Sequence, residues 1–136
     1  DENNKDRLEN GNYIETCGNH YVLLVGDNGD ATPALLTMKA TQLKKSRKWN
    51  SMLLNLKLNG KNGLFTPPSY SHYYRLKTTK EGNDKGNWYG WEVSRESQLE
   101  DANLYNVAKS FAESVNKGEV KVKYEEESST DQKVPF

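Results

Sequence analysis

A chain of 136 residues with one cysteine and a formal net charge of zero is long enough for one domain with a real core and too short for two ordinary ones. The lone Cys17 excludes an internal disulfide framework and fits a reducing, cytoplasmic setting, and no apolar run approaches bilayer length, so no membrane partner is expected. The zero charge hides a division: minus five over residues 1–38, plus eight over residues 39–123 and minus three over residues 124–136.

A basic body between acidic ends points to a polyanionic partner, although charge counts alone favour ordinary solvated lysines. Residues 1–12 are almost wholly polar, with Leu8 the one large apolar side chain, and are expected to be disordered. A start at Asp1 rather than Met is expected of a trimmed chain or of the downstream piece of a longer one. The folded, nucleic-acid-binding domain is expected over residues 13–124, followed by a flexible acidic tail over residues 125–136.

Within the domain, residues 21–25 form an apolar run that ends in a dense turn signal, residues 26–30. Residues 34–38 are the next strand candidate, so the two are expected to pair as a hairpin. Thr41 is placed as the N-cap of a helix running to about Leu56, with Leu43, Trp49, Met52, Leu53 and Leu56 as its buried set. Residues 59–63, with glycine at both ends, stop it. Pro67 and Pro68 make residues 65–69 extended or turning.

Two aromatic-rich strands are expected over residues 72–79 and 88–94, joined by a long polar loop, residues 80–87. Asp101 then caps a second helix, in which Leu104, Val107, Ala108, Phe111 and Val115 recur at helical spacing and Gly118 sits at the C-terminal cap. Residues 119–124 alternate with period two, as a half-buried strand does. Five strands and two helices define an α+β fold with a small mixed or antiparallel sheet.

Chemistry concentrates in two clusters. Lys44, Lys45, Arg47 and Lys48 crowd the opening turns of the first helix, with Lys39 just before it. Cations there oppose the helix dipole, and an arriving phosphate would relieve the conflict. The second cluster interleaves Tyr70, Tyr73, Tyr74, Trp88, Tyr89 and Trp91 with His72, Arg75 and Lys77. Strand alternation puts Tyr73, Arg75 and Lys77 on one face. About half of the rings belong to a core, best met by Trp91 and Tyr74 with Leu76 and Val93. The others would stack on bases beside phosphate contacts, as sequence-tolerant single-strand binders do. The expected nucleic-acid contacts are Lys39, Lys44, Lys45, Arg47, Lys48, Arg75 and Lys77 for phosphates, and Trp49, Tyr73, Trp88 and Tyr89 for stacking.

The chain ends in Val134, Pro135 and Phe136 after Glu125, Glu126, Glu127 and Asp131. This ending resembles the tail of bacterial single-stranded-DNA-binding proteins, with Lys133 departing from the acidic run. The body, over residues 33–44, 66–73 and 83–89, resembles phage-encoded proteins of the same kind. The resemblance implies a single-stranded-DNA-binding protein of phage or bacterial replication and recombination. It also implies an OB-like five-stranded barrel, and a tail whose Phe136 ring recruits partner enzymes. A helix between the second and third strands departs from the usual OB order.

No enzyme and no cofactor are expected. Cys17 and His20 offer two zinc ligands where a closed site takes four. Gly60 and Gly63 lack the strand-to-helix context of a phosphate loop, and nothing sets the separation of Glu92 and Glu96. The rival functions are a protein-interaction accessory factor of replication and a virion structural protein that uses the aromatic strands as a subunit interface.

Overall fold

A computed structural model describes residues 7–120. The described chain runs β1 (Cys17–Val25), β2 (Ala31–Lys39), α1 (Leu43–Asn55), β3 (Leu58–Gly60), β4 (Gly63–Phe65), β5 (His72–Asn83), β6 (Gly86–Gln98) and α2 (Ala102–Asn116). The α+β class and both helices are as expected. No closed barrel is found among the described residues, whose six strands form three two-stranded antiparallel ribbons, β1–β2, β3–β4 and β5–β6. The fifth expected strand, residues 119–124, lies almost wholly outside the described residues, and Glu119 and Val120 carry no strand.

The first ribbon turns through Gly26 to Asp30, where Gly29 takes a positive φ of 80° and the Gly26 amide bonds the Asp30 carbonyl at 2.8 Å. Its strands are longer than the apolar runs because nine residues on each side pair in register, from Cys17 with Lys39 to Val25 with Ala31. Ahead of it, residues 8–12 make a tight turn closed by a bridge between Arg7 and Tyr13.

The expected N-cap at Thr41 gives way to a 3₁₀ turn, Ala40–Gln42, entered through Ala40 at φ 52°. Gln42 precedes α1 without a side-chain capping bond. Trp49 and Ser46 are the buried residues of α1, while Leu43, Met52, Leu53 and Leu56 are half-buried. Residues 59–63, expected only to stop the helix, form the turn of the short ribbon β3–β4, with Gly63 at φ 106°.

The polar stretch expected as a long loop is also strand. β5 and β6 stay in register until Asn83 faces Gly86, leaving a two-residue turn of Asp84 and Lys85. α2 meets expectation: Asp101 accepts from the amides of Asn103 and Leu104 at 2.9 and 3.2 Å. Gly118, at φ 71°, ends the helix as the Glu119 amide bonds the Ser114 carbonyl at 3.0 Å. Among the described residues the buried apolar core is small, consisting of Met38, Trp49, Leu104 and Ala108, with Met38 fully enclosed. α1 sits at its centre, packed against β1, β2 and β6.

Candidate nucleic-acid interface

Positions three and four apart share one face of a helix. Lys44, Arg47 and Lys48 therefore form one stripe on α1, and all three are exposed. The first turn holds no acidic residue. Among the described residues none of the three forms an ion pair.

Lys45, one step round the helix, has a different fate. Its ammonium pairs with the Glu81 carboxylate and donates to the Trp91 carbonyl at 2.9 Å. Gln42 completes the joint: its amide nitrogen donates to Glu81 at 3.2 Å, and its oxygen accepts the Trp91 amide at 2.8 Å. The Trp88 indole N–H donates to the same carboxylate at 3.0 Å. These hydrogen bonds, Lys45 first, hold the Glu81 carboxyl down to about 2. Gly90 makes room for it, since a Cβ there would lie 2.2 Å from a Glu81 oxygen. Lys45 is thus a fastener between α1 and the β5–β6 ribbon, and its charge is spent inside the protein.

Cross-strand partners share a face. Register therefore puts Arg75 and Lys77 on the ribbon face of Glu81 and Trp88. Arg75 is exposed and bonded to Glu96 at 3.0 Å, and Lys77 stands opposite Glu92. Lys39, also exposed, has Glu15 at 3.7 Å. At these separations in water such pairs are weak, so a phosphate can compete for either cation.

Of the four expected stacking rings, the structure leaves one open. Tyr89 is 73% exposed. Trp49 is 6% exposed, stacked on His20 with centroids 4.4 Å apart, and 5.9 Å from the Tyr74 ring. It is core, and that burial is incompatible with base stacking. Trp88 is half-buried with its N–H committed to Glu81. Tyr73 is half-buried too, because the ladder shifts register between His72 and Tyr74 and breaks the alternation that was to align it with Arg75 and Lys77. The core share expected of the cluster holds better: Tyr74, Leu76, Trp91 and Val93 lie on one ribbon face and all are half-buried.

The sequence reading missed Lys80. It pairs directly with Tyr89 across the ribbon and is exposed, on the face turned away from Glu81 and Trp88. A cation beside an open ring is the arrangement single-strand binders use. The signal is the hairpin register, which the turn-like composition of residues 80–87 hides. Glu81 and Gly90 were missed for the same reason.

Both histidines are held below the ordinary imidazole value by burial, His72 also by Arg95. His20 bonds Ser46 Oγ at 2.7 Å, and Ser46 is buried, so this pair is a core contact rather than a nucleophile and base. Among the described residues no cluster of His, Cys, Asp and Glu could hold a metal, and no helix is long and apolar enough to cross a membrane. The tail residues Val134, Pro135 and Phe136 lie outside the described residues.

No curated protein and no solved structure matches this chain. A family model described as Pam3 phage gp34-like protein matches residues 1–121. That match spans the basic body and both helices, and the chain belongs to the Pam3 phage gp34-like protein family.

Proposed function

We propose that this phage-family protein binds single-stranded DNA during replication or recombination in the infected host, and that Val134, Pro135 and Phe136 recruit partner enzymes. The observation that carries the reading is the α1 stripe, three exposed cations at a helix start that holds no acid. Such a start favours an anion over the cations it carries. Lys80 and the open Tyr89 ring supply a second contact of the right chemistry on the neighbouring ribbon, and Arg75 and Lys77 extend the basic surface. The OB-like, five-stranded body expected from the sequence belongs to this reading as its finer form.

The accessory-factor reading is favoured by a different observation. Leu54 and Leu64 are each 69% exposed and Phe65 46%, at the end of α1 and on the β3–β4 ribbon. Apolar groups of that size left in water mark protein contacts.

Titration of a labelled oligonucleotide over a salt series separates the two. Neutralising the three stripe cations alone gives a log–log slope of roughly −2, at about −0.7 per phosphate. Duplex of the same length is expected to bind more weakly, since paired bases cannot reach Tyr89. Absent or salt-independent binding sinks the DNA reading and leaves the protein-contact one.

A further inference from the structure

α1 meets the β5–β6 ribbon at points far apart. Near the open end of the ribbon, the Tyr74 ring lies 5.9 Å from that of Trp49. Seven residues further along β5, about 23 Å of strand, Glu81 closes the joint with Gln42 and Lys45. There the entry to α1 stands where a neighbouring strand would. The amide and carbonyl of one strand residue point to the same side. At Trp91 the Gln42 side chain takes the amide at 2.8 Å and the Lys45 ammonium takes the carbonyl at 2.9 Å.

The joint adjoins every contact proposed for DNA. Glu81 and Trp88 face each other across the ribbon, and the next pair along the ladder is Lys80 and Tyr89. Neighbouring pairs turn to opposite faces. One pair therefore holds the helix while the next presents an exposed cation and a ring that is 73% exposed. On the helix, Lys45 is committed to Glu81, and its neighbour Lys44 begins the exposed stripe. Gly90 belongs to the same device, since a side chain there would take the space of the Glu81 carboxylate.

We propose that Glu81, with Gln42 and Lys45, positions the protein for single-strand binding by fixing the offset between the α1 stripe and the Lys80–Tyr89 pair. The inference rests on the single-strand reading of the function. Once a strand is held at one contact, engaging the second is an intramolecular step, and its gain depends on how narrowly the two are placed. A two-stranded ribbon has little stiffness of its own, and Gly82 and Gly86 flank the turn of this one. Pinned to α1 only at Tyr74, its far end would swing, and binding would have to remove that freedom. The joint removes it beforehand.

Fluorescence anisotropy with labelled oligodeoxythymidylates of about 6 and about 20 nucleotides, the low end of the usual site sizes and beyond them, reads the effect as a ratio of affinities. Gln42→Ala removes bonds to both Glu81 and Trp91 without changing charge. It is expected to keep the short oligonucleotide's affinity within about twofold and to lower the long-to-short ratio about tenfold. Faster exchange of the Trp91 amide is expected to mark the loosened joint. Glu81→Gln is a second route to the same result if Gln42→Ala does not fold. It is expected to lower the ratio while tightening the short oligonucleotide, because Lys45 is freed for phosphate. Asp101→Ala, which weakens the α2 cap instead, is expected to leave the ratio unchanged. A wild-type ratio kept in the joint variants overturns the proposal and leaves the single-strand reading standing. So does an equal fall in Asp101→Ala, which makes the effect one of stability. A wild-type chain that binds neither oligonucleotide overturns the single-strand reading, and this proposal with it.

Discussion

Glu81 takes hydrogen bonds from Lys45, Gln42 and Trp88, and its carboxyl is held at about 2. A carboxyl lowered by folding stabilises the fold above its unfolded value, near 4.5, and that contribution fades as pH falls toward 2. Glu81→Gln is expected to lower Tm by a constant amount above about pH 5 and to converge with wild type near pH 2, as a pH series of thermal melts would read. Convergence at neutral pH would mean that the Lys45 contact contributes nothing. Lys45 itself shows where residue-level reading of the sequence stops. In the chain it is one of four cations in five positions, and only the ribbon register tells it from Lys44, Arg47 and Lys48. Lys45→Gln is expected to destabilise the protein, whereas the triple change of Lys44, Arg47 and Lys48 to Gln leaves Tm unchanged. The same triple change is expected to flatten the salt dependence of oligonucleotide binding by about two slope units. Tyr89→Ala is expected to weaken that binding by about tenfold, as one lost base stack of roughly 1–3 kcal/mol would, with no change in Tm.

Elements whose signals are local were legible in the sequence. α2 is specified by the Asp101 cap, its apolar spacing and Gly118, all of which act within a few residues. Asp101→Ala is expected to cost about 1 kcal/mol in a urea titration, the usual worth of an N-cap side chain. α1 shows the limit of that logic. Thr41 has the chemistry of a cap, yet the chain enters through a left-handed Ala40 and a 3₁₀ turn because Gln42 is drawn to Glu81 and Trp91. A Cβ at positive φ is strained by roughly 1–2 kcal/mol. Ala40→Gly is accordingly expected to raise stability by about 1 kcal/mol, once glycine's greater unfolded-state freedom is subtracted. The extension of β5 and β6 through residues 80–87 was illegible for a related reason. Gly82, Asn83 and Gly86 read as turn, and the pairing that overrides them is anchored by Glu81 against a helix some forty residues earlier.

At the scale of the molecule, the uneven charge along the chain was visible from the start, and its arrangement was not. Folding spends some of the basic body internally: Lys45 on Glu81, and, less firmly, Arg75 on Glu96 and Lys39 on Glu15. Among the described cations that stay uncommitted are the α1 stripe and Lys80 beside Tyr89, on separate elements. A strand that engages both has to span from α1 to the β5–β6 ribbon. Oligonucleotides too short to do so are expected to bind through the stripe alone, and affinity should rise stepwise with length, a series that fluorescence anisotropy resolves. A smooth rise from the shortest oligonucleotide would place both contacts on one surface.

The three ribbons each join strands that are neighbours in the chain, and this has a kinetic consequence. Pairing between adjacent segments closes short loops, and isolated hairpins form in about 1–10 μs. Contacts of low sequence separation also make for fast folding overall. The ribbons can therefore be in place while the chain is still collapsing, and the slow step becomes the docking of α2, which follows the last ribbon in the chain. A stopped-flow refolding trace of the three tryptophans, which all lie between β2 and α2, is expected to finish before amide protection reaches α2.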